Sequence, residues 1–310
     1  MALSTLLRPR FPSSAVGIEK GGASMVQLDR SRGGFVIRRA STITLPDDLI
    51  RPQFDDSNIS DPAQLMAALS DLATSSGLLR QRKWSVALPE ASTKTAILTL
   101  EGTAGSRSEI AEVLEWKTER AFGAPLDELR IAREQLSANE QRQARYLVTG
   151  VRLAVLAEYE SVFTALRWQT GLILPRHAGE QQWLRNGTPS NGLLLTTHDE
   201  GFTAVLMRDN QATTLRSVLC DVQECDDELH RLLLFYRDRT QGGDEPSPPM
   251  DRLLVLGSLL DKNHVAAVVR DTLGISLRPL SATDVGLTIP AGDISFDSIA
   301  AAAGLARLAW

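Results

Sequence analysis

One local pattern occurs twice in this chain, and it limits the folds available more than any composition figure does. Residues 14–45 read as a three-stranded meander: 15–19, 24–29 and, after the Gly33-Gly34 turn, 35–45, a run enriched in β-branched side chains. The pattern restarts in the second half with strands at 192–197, 201–208 and 212–219, joined by tight polar turns. Each meander is followed by alternating helical and strand patterns, the arrangement of an α/β protein with two similar lobes. A length of 310 residues exceeds a single core and agrees with two lobes. The cleft between such lobes is where a ligand is expected.

Between the meanders, Asp61-Pro62 supplies an N-cap and a first-turn proline for a helix with Leu65, Leu69 and Leu72 on its apolar face, closed at Gly77. Residues 83–89 and 93–100 read as strands. Ser106 and Glu109 form a capping box ahead of a helix carrying Ile110, Val113 and Leu114 that stops at Gly123. Residues 129–136 and 144–151 read as a strand pair. A long helix marked by Val155, Tyr159, Val162, Phe163 and Leu166 is expected to run to about Gly171, with a strand from Leu172 to Pro175. After the second meander come a helix with Leu229, Leu232, Leu233 and Tyr236, a Gly/Pro/acidic loop at 241–249, a strand at 252–256 and a helix stopped by Gly274. A last, alanine-rich helix at 297–309 suits close packing on a sheet.

Charge and motif content remove several function classes. The net charge is -5, with Lys and Arg scattered rather than striped, which argues against a nucleic-acid partner. Cys220 and Cys225 are too few for a disulfide framework and lack zinc spacing, so a reducing compartment is expected. No apolar run approaches the roughly 20 residues of a membrane span, and Arg8, Pro9 and Arg10 cut short any signal-like segment. Membrane contact is therefore expected only through a partner. The four histidines have no ligand spacing and read as surface or capping residues, and the five tryptophans read as core or interface anchors. The nucleophile-elbow, P-loop, dinucleotide-binding and zinc-protease motifs do not occur in the sequence.

The order of elements and several strings resemble the PilM family of type IV pilus and type II secretion assembly platforms, within the actin, sugar-kinase and heat-shock chaperone superfamily. The stretch from Gly17 to Val26 stands where that superfamily has a D-x-G-x-x-x-x-K phosphate hairpin, with Glu19 in place of Asp. The string from Trp84 to Pro89, the segment from Ile110 to Pro125 followed by Leu129-Arg130, and the stretch from Val155 to Leu174 resemble further family segments. A second phosphate loop corresponds to the stretch from Leu195 to Thr203, where Thr196 or Thr197 replaces the usual strand-end Asp. The adenosine loop corresponds to Leu256-Gly257-Ser258, with one glycine of the usual pair kept.

What this resemblance implies is an actin-like α/β fold of two lobes, each with a meander sheet and flanking helices. It implies a flexible N-terminus at 1–13, a first lobe at 14–175 with an inserted subdomain at about 80–152, and a second lobe at 176–310. It implies ATP and Mg²⁺ as cofactors, with Glu19, Gly21, Gly22, Ser24, Gly201, Thr203 and Gly257 around the nucleotide and Glu19 at the metal. The implied partner is a PilN-like inner-membrane protein, whose N-terminal cytoplasmic peptide binds a groove of the first lobe. The implied location is the cytoplasmic face of the inner membrane, and oligomerisation stays open.

Read as residues, the same sites carry plainer alternatives. Gly21-Gly22-Ala23-Ser24 is a phosphate hairpin or a simple strand–strand turn. Asp199 falls in an Asp-Glu-Gly turn rather than at a strand end. Gly257 serves an adenine or the packing of a strand against a helix. The missing strand-end acid removes the group that would position water, so no catalytic residue is assigned and efficient hydrolysis is not expected. An active ATPase or small-molecule kinase is the competing function. A filament-forming, cell-division-like relative would need a C-terminal membrane helix, and residues 299–310 lack the polar face for one.

Overall fold

The computed structural model describes residues 11–101, 106–139, 141–185, 187–198, 201–241 and 249–310. Residues 1–10, most of the expected flexible N-terminus, lie outside that set, as do Asp199, Glu200 and most of the 241–249 loop.

The first meander forms as read: β1 (Ser14–Glu19), β2 (Gly22–Ser31) and β3 (Gly34–Thr44) pair antiparallel. Then follow α1 (Pro62–Ser75), β4 (Lys83–Leu88), β5 (Lys94–Leu100), α2 (Arg107–Phe122), β6 (Leu129–Leu136), β7 (Ala144–Arg152), α3 (Leu153–Ala165), β8 (Gln169–Pro175) and α4 (Arg176–Glu180). The second meander is β9 (Gly192–His198), β10 (Gly201–Arg208) and β11 (Gln211–Leu219). The chain closes with α5 (Cys225–Gln241), β12 (Arg252–Leu256), α6 (Lys262–Leu273), β13 (Leu287–Thr288) and α7 (Phe296–Arg307).

Both meanders are extended in the same way. β4 pairs parallel to β1 and β12 parallel to β9, giving the orders β13-β3-β2-β1-β4-β8 and β11-β10-β9-β12. A separate antiparallel sheet, β5-β7-β6, carries α2.

Strand alternation sorts the side chains into layers. Val16, Ile18, Met25, Trp84 and Val86 face α1 and α3. Ala15, Val26, Leu28 and Ala87 face the opposite way, into a core shared with Leu194, Leu254 and Leu256 of the second sheet. Leu193, Leu195, Leu253 and Val255 face α5 and α6. Helix α7 occupies the shared central layer and packs on β1, β2, β3 and β4.

Its sequence explains that position. The run from Ile299 to Ala306 is buried on every side, as expected of a helix with no polar face. Its small side chains let backbones approach closely. A Cβ on Gly304 would fall inside contact distance of the Gly179 carbonyl, and one on Gly179 would collide with the Ala301 carbonyl. Trp183 donates its indole N–H to the Ala300 carbonyl at 2.8 Å, tying the segment after α4 to the same helix.

The structure moves one helix boundary. Helix α3 stops at Ala165 rather than near Gly171, because Arg167 adopts a left-handed conformation (φ 59°) and the Trp168 N–H turns back to the Phe163 carbonyl. Gly171 lies within β8 instead. Within 80–152, β4 belongs to the main sheet and the separate sheet begins at β5. Near the end of the chain, β13 pairs with β3, and α7 lies between the two large sheets.

Gly304→Ala should therefore destabilise the protein by about 2–4 kcal/mol in urea unfolding, because a backbone contact must separate. Gly33→Ala, where a Cβ meets nothing within 4 Å, should stay within about 0.5 kcal/mol of wild type.

Candidate functional site

Four chain segments converge where the lobes meet: the β1–β2 hairpin, the short turn Glu90–Ser92 after β4, the start of α4, and the β9–β10 pair. The turn after β4 and the start of α4 follow the C-terminal ends of adjacent parallel strands, the usual position of a site in an open α/β sheet. Pro175 fixes the exit from β8, and α4 begins at once with Arg176 and His177.

Both side chains are buried, and both are paired with acids. Arg176 donates from Nη1 to Glu19 Oε2 at 2.8 Å and from Nε to Glu180 Oε1 at 2.6 Å. Burial opposes its charge, but attraction to Glu180 and then Glu19, the hydrogen bond to Glu180 and the nearby Glu90 hold the guanidinium above the ordinary arginine range. Glu180 is fully buried. His177 Nδ1 lies 2.6 Å from Glu90 Oε1, and its backbone N–H donates to Glu90 Oε2 at 3.3 Å. Thr203 Oγ1 on β10 donates to the same Glu90 oxygen at 3.3 Å and lies 2.9 Å from Ser217 Oγ. Burial would raise the Glu90 pKa. The charge interaction with His177 and its two hydrogen bonds, with a smaller contribution from His198, more than offset this and hold it below the usual carboxylate value.

The residues expected around a nucleotide separate into groups. Glu19 and Gly21 line the junction cavity together with Lys20, Pro52, Pro89, Glu90, Ala91, Arg176 and His198. Gly22 closes the hairpin opposite Glu19, with the Ile43 carbonyl 3.1 Å from where its Cβ would be. Ser24 is paired with Gly17 across β1–β2, its hydroxyl 2.8 Å from the position of a Gly17 Cβ, on the face toward Ala302. Gly201 (φ 137°) opens β10 against the Val218 carbonyl, where a side chain has no room. Thr203 points at Glu90. Gly257 (φ 90°) abuts Thr197, whose hydroxyl donates to the Leu256 carbonyl at 3.3 Å and accepts from the Leu259 N–H at 3.2 Å. The glycine there serves the β9–β12 junction and borders a separate shallow depression with Ser258 and Arg278. Asp199, the other acid weighed for this region, lies outside the described residues.

A metal and a nucleotide would have to fit this arrangement. The Glu19 carboxylate expected at the metal is on a guanidinium, and the junction cavity holds about 60 Å³. Ligand sites start at roughly 300 Å³, so this cavity is too small to enclose Mg·ATP, and the one acid expected at the metal is already paired with Arg176. Among the described residues no group of three or more His, Cys, Asp or Glu could hold a metal ion.

Arg176, His177, Glu180 and Glu90 escaped sequence reading. His177 is a correction in particular: it is buried against Glu90 rather than at the surface. The available signal was positional, since two ionisable residues directly follow Pro175 and an acid stands four residues after Arg176. The cysteines are free thiols, and burial pushes Cys225 up to about 12, so it is no nucleophile at neutral pH.

No protein-family model matches the sequence, and no curated protein does. Solved structures do match the fold. A chain of the PilM–PilN type IV pilus biogenesis complex superposes with a TM-score of 0.75 at 16% identity, over 97% of this chain and 99% of that one. An actin-like ATPase-fold protein of unknown function from Bacteroides thetaiotaomicron matches at 12% identity over 96% and 98% of the two chains, with a TM-score of 0.44. The cytoplasmic domain of EpsL, an inner-membrane component of the type II secretion system of Vibrio cholerae, matches at 13% identity over 86% and 96%, with a TM-score of 0.45. Below 0.5 the last two add nothing to the argument. The first shows that this chain shares the fold of a chain of that complex over nearly its whole length, the actin-like α/β fold expected from its order of elements.

Breaking the Glu90–His177–Thr203 contact should be costly because it leaves buried polar groups unpaired. Glu90→Gln should lose about 3–5 kcal/mol at pH 7 in urea unfolding. Because the folded pKa of Glu90 lies below its ordinary 4.5, the carboxylate's contribution is present above that value and is lost as the pH falls through the folded one. The stability gap between wild type and variant should therefore close in acid, below about pH 4.5.

Proposed function

We propose that this chain is a cytoplasmic actin-like scaffold of a type IV pilus-like or type II secretion-like inner-membrane assembly platform, which captures the N-terminal cytoplasmic tail of a PilN-like membrane protein. The observation that carries this reading is the likeness to a chain of the PilM–PilN complex, which extends over nearly the whole of both chains. A likeness confined to the two large sheets would have pointed only to the superfold; this one takes in the inserted β5-β7-β6 unit as well.

The described surface supports the same reading. No helix among the described residues is long and apolar enough to cross a membrane, so attachment through a membrane-anchored partner is the route proposed. The inserted sheet ends at β6, an edge strand on which Arg130, Ala132, Arg133, Glu134 and Gln135 are exposed. Extended peptides add to such edges through main-chain hydrogen bonds, with side-chain pockets giving selectivity. An ATPase or kinase would instead need a carboxylate turned toward phosphates, whereas Glu19 and Glu90 are turned toward Arg176, His177 and Thr203.

The test is a calorimetric titration of the purified chain with synthetic N-terminal peptides of PilN-like proteins encoded beside its gene. Saturable binding of one such peptide, absent for its scrambled sequence, is expected. If none of the tails binds, the scaffold reading fails.

A further inference from the structure

The disagreement between the junction and the Mg·ATP implied by the fold has a positive side. We infer that Arg176 is the resident cation of the lobe junction, a guanidinium built into the chain at the position where Glu19 would otherwise meet a metal, which makes the junction independent of nucleotide.

Geometry carries the argument. A divalent ion at a phosphate hairpin satisfies carboxylate oxygens that would otherwise repel one another. Here the Arg176 guanidinium does so, reaching Glu19 with one nitrogen and Glu180 with another. A lysine could not span both acids from a single point charge, whereas the guanidinium fork can. The cation is 95% removed from solvent and one of its acids entirely so, which makes its displacement by an incoming ion costly.

Elsewhere in the expected nucleotide site, Gly21 faces open space and Gly257 borders a depression, but two residues also have packing partners. Ser24 is turned to the face of β2 that meets Ala302, and Gly257 is backed by Thr197. Glu90, from the turn after β4, bridges His177 at the head of α4 and Thr203 of the second sheet. Arg176 and His177 are adjacent, so one short helix joins the β1–β2 hairpin, the first sheet and the second sheet through the Arg176–Glu19 ion pair and the His177–Glu90 hydrogen bond. In such a molecule the lobe angle is set by internal side-chain contacts, and partner binding needs no nucleotide to prepare it.

The experiment uses the full chain without any peptide, so its outcome is separate from that of tail capture. Wild type should show no heat of binding with ATP, with or without Mg²⁺, and no shift of its unfolding midpoint at about 1 mM Mg·ATP. Arg176→Ala leaves Glu19 and Glu180 facing each other and should gain Mn²⁺ binding, read by electron paramagnetic resonance and by a midpoint that rises with Mn²⁺. The double variant Arg176→Ala/Glu19→Gln should lose that gain. Should Arg176→Ala fail to fold, Glu19→Gln alone, at a partly exposed side chain, should leave the flat nucleotide and metal response unchanged. Magnesium-dependent ATP binding by wild type that Glu19→Gln removes would overturn the inference, as would a folded Arg176→Ala that gains no Mn²⁺ binding.

Discussion

Helix α7 can lie between two sheets only because its side chains are small enough for three backbones to meet. Each large sheet presents an apolar face, and a bulky helix between them would hold those faces apart and open voids beside it. Four consecutive alanines and Gly304 avoid this, and Gly179 on α4 closes the crossing from the other side. The central core therefore contains Ala15, Val26 and Ala87 from one sheet and Leu194, Leu254 and Leu256 from the other, with α7 in contact between them. With that layer fixed, the β1–β2 hairpin, the turn after β4, α4 and the β9–β10 pair have one way to meet.

What they make there is electrostatic. Three acids, an arginine and a histidine converge at the junction, with Glu19 the only one of them partly open to solvent. Buried charges are tolerated when each has a partner and hydrogen bonds; Arg176 pairs with Glu19 and Glu180 and His177 with Glu90, while Glu180 Oε2 is buried without a hydrogen-bond partner. Pairs of this kind contribute little net stability over an apolar alternative, but they resist rearrangement because separating either one strands a charge. A junction built in this way favours a defined lobe arrangement over an opening and closing cycle.

The two meanders were legible in the sequence because strand alternation and turn chemistry are local. Asp209 and Asn210, both at positive φ, make the tight β10–β11 turn as their residue types suggest. Helix stops at Gly77, Gly123 and Gly274 were legible for the same reason, each being left-handed. The end of α3 was not, since Arg167 takes a left-handed conformation without any side-chain signature and is held there by the Trp84–Trp168 and Phe163–Trp168 contacts that follow. Glycine carried two meanings that sequence could not separate. At Gly257 the structure shows a packing reason in Thr197, while Gly21, with nothing within 4 Å of a Cβ, has none.

Sequence by itself determined the elements, their duplication and the small-residue character of α7, because these depend on contacts along one strand or one helical turn. Only the tertiary structure decided that β13 and α7 return to the first sheet, and that Arg176 and His177 meet Glu19 and Glu90. The physical reason is distance along the chain: Arg176 and Glu19 are 157 residues apart, and His177 and Glu90 are 87 apart. A contact of that separation has no local pattern; it exists only once the sheets have closed on α7 and brought the partners together.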